Sequence, residues 1–480
     1  MKEEIKKWHQ ESAALEPTQE ERTTLSKAVL DFADDFVEKL PDTLAYHVED
    51  RKGSGIYEHP LSEDGHSINE ALKIFQEHVN EPGLNPASGG HLAYIPGGGI
   101  YASAMGDVLA AVTNKFAGVF YASPGAVRLE HMLVRWMAEI MGYPESAVGN
   151  LTSGGSIANL NAIVTAREAM NLKARDVENA VVYYSAHTHH SVQKALNIAG
   201  LAEAQVRIVP ADDNFRMDTA KLEAMVVNDV AASFRPFLII ASAGTTDTGA
   251  ADPLEKIAAI AQKYHSWFHV DAAFGGFFVL TEHGQKALRG IECCNSIVLD
   301  PHKGLFLPYG SGAVLVRDGK KLRDAHRFQA AYLQDTADSQ DELSPAELSA
   351  ELSRHFRGPR MWLPLFLHGI APFRAALREK LLLARYFHQE IRKRKGFEAG
   401  PEPDLSIVIF RYVPESGNAN DFNKRLVRGI VRDGRVFLSS TTINGIFWIR
   451  IAVLSFRTHL EHIDLTLDLL EETAGHLQKT

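Results

Sequence analysis

Lys303 stands directly behind a short apolar run, Ser296-Ile297-Val298-Leu299, and the turn Asp300-Pro301-His302. The run is partly β-branched and bounded by Asp-Pro, so it reads as a buried strand. Pro301 has no N–H for a ladder, and the chain leaves the sheet there. Ligands of open α/β sheets sit outside the carboxyl ends of the strands, which is where His302 and Lys303 fall. A lysine amine can form a Schiff base with a carbonyl, and desolvation lowers its pKa toward the nucleophilic form. A plain surface lysine is the alternative.

Three further stretches could do chemistry. Thr152-Ser153-Gly154-Gly155-Ser156 precedes an expected helix over 157–170. A small, flexible turn feeding a helix N-terminus is an anion site, because free N–H groups and the helix dipole converge there. Ser156 alone can cap the helix. No Lys-Ser/Thr pair follows the glycines, so this is not a Walker loop. His269-Val270-Asp271-Ala272-Ala273 ends an apolar run. Asp271 either caps the next turn or holds a buried cation, such as a protonated ring nitrogen. His187-Thr188-His189-His190-Ser191 ends another run, and His187, His189 and His190 raise a zinc alternative. Ser242-Ala243-Gly244-Thr245-Thr246 closes one more.

The elements that must position these groups alternate. Apolar, β-rich runs fall at 180–184, 206–209, 237–241, 267–270, 296–299 and 313–316, with helical stretches near 191–199, 220–228 and 254–263. That alternation predicts βαβ units and a mostly parallel sheet. Residues 1–85 carry helical spacing instead, as in Leu25, Val29, Leu30, Phe32, Ala33 and Phe36. Two apolar faces there want cover, such as a partner subunit would give. A glycine-rich passage, Ser88 to Gly99, offers His91 and Tyr94 to a ligand or is a plain loop. A helix over 104–113 and an aromatic stretch from Phe116 to Tyr121 follow. The polar, acidic segment Ala337 to Glu342 reads as part of a mobile loop over 330–353. Beyond Arg357 come a long helix over 371–394, strands at 406–412, 435–439 and 447–453, and a terminal helix from Leu460. The expected domains are a helical front segment (1–85), a large domain (86–360) and a small α+β domain (361–480).

Bulk properties narrow the class. With 480 residues the chain exceeds one compact core. A formal net charge of -10 argues against nucleic acid or an anionic membrane as partner. Met1-Lys2-Glu3-Glu4-Ile5-Lys6-Lys7 has no signal-peptide core, and no later run is long enough to span a bilayer. The only two cysteines are the neighbours Cys293 and Cys294, which suits a reducing cytoplasm.

A cofactor that is at once an aldehyde, a phosphate monoester and a pyridine needs a lysine, an anion cup, a carboxylate for its ring nitrogen and something flat on its ring. Lys303, Gly154-Gly155-Ser156, Asp271 and His189 supply all of these. Here the chain resembles the pyridoxal-phosphate-dependent group II amino acid decarboxylases, of the aromatic L-amino acid decarboxylase kind. The resemblance runs from about Ser88 to the end and rests on Thr152–Ser156, His189-His190-Ser191-Val192, His269–Ala273, Pro301-His302-Lys303 and Phe356-Arg357. It implies an aspartate-aminotransferase-type (fold type I) α/β homodimer with its site between subunits. It also implies that Lys303 forms the Schiff base, Asp271 pairs with the pyridine nitrogen, His189 stacks on the ring and Ala273 packs the other face. Gly154, Gly155 and Ser156 hold the phosphate, and Thr245 and His302 lie beside the cofactor. His91, Tyr94, Phe116 and Arg357 are the candidates for touching the amino acid.

Departures from the family pattern stand out. Gly304 follows the lysine where the family has an aromatic residue, and Pro86-Ala87 stand where aromatic members carry Trp-His. The family's loop tyrosine, which protonates the carbanion, has no aromatic counterpart near 342–348, and Tyr332 lies upstream. The expected reaction is decarboxylation of an L-amino acid, with an aromatic one favoured, to the amine. The alternatives are oxidative release of an aldehyde, or transamination.

Overall fold

The computed structural model describes residues 1–95, 97–327 and 342–479. Helices α1 (Lys2–Ser12), α2 (Gln19–Lys39) and α3 (Ile68–Phe75) lead, with a two-stranded ribbon of β1 (Tyr46–His47) and β2 (Gly83–Leu84). A Thr18–Glu21 capping box starts α2, yet neither α1 nor α2 buries a residue within one chain. Helices α4 (Tyr101–Thr113) and α5 (Pro124–Ile140) follow.

The large sheet then builds as β3 (Val148–Thr152), α6 (Gly155–Ala169), β4 (Ala180–Ser185), α7 (His190–Ile198), β5 (Gln205–Val209), α8 (Thr219–Ala231), β6 (Arg235–Ser242), α9 (Leu254–Lys263) and β7 (Trp267–Asp271). It finishes with α10 (Glu282–Ala287), β8 (Ser296–Leu299), α11 (Pro301–Gly304), β9 (Gly312–Val316) and α12 (Gly319–His326). The strand order is β3-β9-β8-β7-β6-β4-β5, and only β9 runs antiparallel to its neighbours. This is the mostly parallel α/β sheet of fold type I. Both faces are covered, so strand side chains divide with period two: Ile297 and Leu299 enter one core, Val298 the other. The edge strand β3 was not expected, because Val148-Gly149-Asn150-Leu151-Thr152 is short and mixed. Its pairing to β9 makes it a strand.

After α13 (Gly358–His368) and α14 (Ala371–Ile391), strands β10 (Phe397–Ala399), β11 (Ile407–Tyr412), β12 (Ser439–Ile443) and β13 (Ile446–Ala452) form an antiparallel sheet in the order β10-β11-β13-β12, backed by α15 (Ala419–Asp433) and α16 (Leu460–Lys479). The strand expected at 435–439 begins four residues later, at Ser439. Phe437 instead bridges to His91, tying the glycine-rich passage to this sheet. Part of the expected 330–353 loop, including Tyr332, lies outside the described residues. The described part docks on its own chain: Ala346 N–H donates to Gly118 O, and Phe120 N–H to Ser344 Oγ. No helix among the described residues is long and apolar enough to cross a membrane.

Candidate active site

Five strand ends meet at one edge of the large sheet. The register sets Thr152 beside Gly312, Leu299 beside Ala313, Asp271 beside Val298 and Ser242 beside Asp271. β9 is reversed, so it contributes its first residue, Gly312, to the edge where the others end. A cavity of about 270 Å³ opens there, lined among others by Gly154, Gly155, Ser156, His189, Thr245, Asp271, Ala273, His302 and Lys303.

The anion turn is built by steric exclusion. Gly154 has φ +154° and ψ 175°, a conformation essentially restricted to glycine. A Cβ on Gly155 would lie 3.0 Å from Asp300 Oδ2 and 3.3 Å from Ala273 Cβ. One on Gly312 would lie 2.5 Å from Gly154 Cα. α6 begins at Gly155 with Gly154 as its N-cap and no side-chain cap, so its first amides have no intrahelical acceptor. The capping role expected of Ser156 is therefore corrected: the helix starts before it, and Ser156 sits in the first turn.

Lys303 lies on the single turn α11, where Pro301 occupies a first-turn position that needs no N–H. Its Nζ is 2.9 Å from Asp300 Oδ2. Burial is the largest influence and pulls the amine's pKa down, but the charge and hydrogen bond of Asp300, with Asp271 and Tyr309, together make the net shift upward. That reverses the expectation of an amine made nucleophilic by desolvation alone. Asp300 is itself buried, and its Oδ1 has no hydrogen-bond partner. His302 donates from Nδ1 to Ser311 O, with Nε2 3.6 Å from Asp300 Oδ2; burial lowers its pKa, against the pull of Asp300. Gly304 presses on Phe277, whose Cβ is 2.8 Å from where a Gly304 Cβ would stand. Phe277 thus fills the space beside the residue after the lysine.

Asp271 uses both oxygens: Oδ1 accepts from Ala273 N–H at 3.1 Å, and Oδ2 from Asn159 Nδ2 at 3.0 Å. The two readings of Asp271 are compatible, since it steadies the next turn and still lines the cavity. His189 is the N-cap of α7, and its Nδ1 accepts from Ser191 N–H and Oγ–H. Burial lowers its pKa, partly offset by Asp271. Thr245 Oγ1 is held 2.8 Å from Thr248 Oγ1.

The other expected residues are not brought together within one chain. Arg357 does not line this cavity: its guanidinium pairs with Glu351 at 2.8 Å and donates to Leu151 O. His91 does not line it either, being fully buried against Phe437. Tyr94 and Phe116 are exposed and do not line the cavity of a single chain. His187 turns to Phe215 and Asp247, and no group of three His, Cys, Asp or Glu among the described residues is placed to hold a metal. Asn159 and Gly312 were missed. Asn159 is one of several polar residues of α6, with Asn161, Thr165, Arg167 and Glu168, so its sequence did not single it out; nothing local marked Gly312 either.

The model of the pyridoxal-dependent decarboxylase conserved domain matches residues 67–413. The chain belongs to that family. It is a pyridoxal-phosphate-dependent carboxy-lyase acting on an amino acid, and the cavity fits the cofactor: an open glycine turn for phosphate, an amine, and a carboxylate with both oxygens held. An aromatic-L-amino-acid decarboxylase of Bacillus atrophaeus is 34% identical over 84% of this chain and 85% of its own. A phenylacetaldehyde synthase of Petunia hybrida is 30% identical over 82% of each. The crystal structure of Catharanthus roseus tryptophan decarboxylase in complex with L-tryptophan superposes with a TM-score of 0.88 at 26% identity, covering 96% of this chain and 99% of that one.

Proposed function

We propose that this decarboxylase converts an aromatic L-amino acid to its amine, as a cytoplasmic homodimer. The convergence of Lys303, Asp271 and the Gly154–Gly155 turn on one cavity carries the reading. Bound there, pyridoxal phosphate supplies the carbonyl that condenses with an amino group and the protonated ring that draws off the electrons released with carbon dioxide. The residues divide the remaining work. Gly154, Gly155 and Ser156 bind phosphate through the α6 amides. Lys303 supplies the amine for covalent attachment, and Asp300 holds its proton until then. Asp271 holds a proton at the ring nitrogen, because a carboxylate with both oxygens already fixed cannot swing away. His189 covers one ring face and Ala273 the other, with Thr245 and His302 alongside. The Bacillus atrophaeus relative supports the aromatic substrate class. A dimer is supported by apolar side chains left exposed on the front helices and α4, among them Leu25, Val29, Leu109 and Val112. In that dimer, Tyr94 and Phe116 are free to serve the partner's cavity.

A second reading, oxidative release of the aldehyde, has one observation in its favour. Residues 342–348, where the family carries its proton-donating tyrosine, hold no aromatic side chain and are docked on residues 118–120. One experiment separates the two: offer the purified enzyme a panel of L-amino acids and measure amine, aldehyde, carbon dioxide and peroxide together. Amine and carbon dioxide in equal amounts from an aromatic substrate are expected. Aldehyde with ammonia and peroxide would replace the first reading by the second, and turnover of a non-aromatic amino acid alone would overturn the substrate class.

A further inference from the structure

Behind Asp271 the cavity wall carries a chain of hydrogen bonds, of which the roles above use only the Asn159–Asp271 link. Trp267 and His269 on β7, Ser296 on β8, Asn159 on α6 and Ser191 on α7 are all buried. Trp267 Nε1 donates to Ser296 Oγ at 2.9 Å. His269 Nδ1 lies 2.8 Å from the same oxygen, and its Nε2 lies 2.9 Å from Asn159 Oδ1. Asn159 Nδ2 reaches both Asp271 Oδ2 at 3.0 Å and Ser191 Oγ at 3.1 Å. Ser191 Oγ ends the chain 2.7 Å from His189 Nδ1.

Direction is imposed from both ends. An indole N–H can only donate, and a carboxylate can only accept. The nitrogen of the Asn159 amide therefore faces Asp271, and its oxygen accepts from His269 Nε2–H. His269 Nδ1 then carries no proton and accepts the Ser296 hydroxyl hydrogen, while Ser296 Oγ accepts from the indole. On the other arm Ser191 Oγ accepts from Asn159, so its hydrogen goes to His189 Nδ1. The proton of neutral His189 is left on Nε2. Reversing any one bond sets donor against donor or acceptor against acceptor in a buried place, which costs about 1–3 kcal/mol. Burial also lowers the His269 pKa to about 4, in keeping with a neutral ring.

We propose that Asn159 is a positioning residue of the decarboxylation: its single amide fixes the Oδ2 acceptor of Asp271 and, through the Ser191 hydroxyl and alongside the Ser191 N–H, holds His189 in its Nε2–H tautomer. The inference rests on the reading that Asp271 serves the ring nitrogen and His189 the ring face.

Asn159→Asp tests it in the loaded enzyme. When protonated, the introduced carboxyl has the polarity of the amide, donating O–H to Asp271 and accepting from His269. When ionised, it presents only acceptors, repels Asp271 and turns the Ser191 hydroxyl away from His189. The titratable groups around it are Asp271 and His269 on β7, His189 and His190 at the start of α7, Asp300 just after β8 and Lys303 on α11. The expected result is a kcat at least 100-fold below the parent at pH 8, with KM within threefold, and a variant-to-parent kcat ratio that rises at least tenfold by pH 6. A purely structural role moves neither the ratio with pH nor kcat apart from KM. A flat ratio near one overturns the proposal. Ser191→Ala, which cuts only the arm to His189, is the second variant. A fall in kcat of about tenfold with unchanged cofactor affinity is expected, and parent kcat overturns the proposal even if Asn159→Asp does not fold. Asp271→Asn separates the two levels. Should it keep parent turnover, the reading of Asp271 fails; should it lose turnover while Asn159→Asp does not, only this inference fails.

Discussion

Gly312→Ala should weaken cofactor binding through the phosphate alone. The added methyl would lie 2.5 Å from Gly154 Cα, 2.6 Å from Gly154 C and 2.7 Å from Thr152 Oγ1. Carbon atoms rest about 3.5–4.0 Å apart, so something must give by about 1 Å. β9 cannot give easily, because ladders to β3 and β8 hold it on both sides. The turn at Gly154 can, since its own N–H makes only a 3.4 Å contact with Thr152 Oγ1. A shift of about 1 Å takes an amide–phosphate bond from about 2.9 Å to beyond hydrogen-bond range. Each such bond to a charged group contributes about 1.5–3 kcal/mol. Losing one raises the dissociation constant about tenfold to 150-fold. The assay is a visible-absorbance titration of apoprotein with pyridoxal phosphate and, separately, with pyridoxal. Only the phosphorylated form should lose affinity. Equal losses for both, or none for either, would refute the reasoning that Gly312 shapes the phosphate cup.

Other outcomes follow from the same geometry. Asp300→Asn removes the carboxylate that raises the Lys303 pKa, so covalent attachment of cofactor at neutral pH should be faster and less steeply dependent on pH, read by stopped-flow absorbance. An unchanged pH dependence would mean that Asp300 does not hold the amine's proton. Glu130 is buried and binds the Arg354 guanidinium and the N–H groups of Arg357 and Gly358. Glu130→Ala strands that cation and should destabilise the protein by about 3–5 kcal/mol in urea melts, whereas a surface-like loss below about 1 kcal/mol would contradict the burial. Burial lowers His91 and His269 from 6.5 to about 4. Both groups charge first in the unfolded chain, so stability should fall as pH drops from about 6.5 to 4, by up to about 3 kcal/mol each, with no contribution from them above that window. His91→Asn should make the acid slope shallower; an identical slope would count against it.

Much of the chemistry was legible locally. Pro301 ends a strand by lacking an N–H, Gly154-Gly155 opens a helix, and Asp271 closes an apolar run; each signal spans a few residues and needs no knowledge of the fold. The parallel sheet was legible too, because the apolar period switches between strand and helix along 180–316. Properties that join distant segments were not. Gly312 meets Gly154 only because β9 runs antiparallel beside β3, and strand order is set by how whole faces bury, not by either glycine's neighbours. Arg357 turned inward because Glu351 and the carbonyl of Leu151 stand there to receive it, and a buried guanidinium must be paired. The upward pKa of Lys303 depends on a carboxylate only three residues away, yet the sign of the shift is a balance of burial against a 2.9 Å contact that the tertiary fold decides. Asn159 joins α6 to β7 and α7, so its direction along the hydrogen-bond chain exists only once the three elements pack. Residue types thus determined which reactions were available, and packing decided where each proton sits, because hydrogen-bond polarity is a property of pairs.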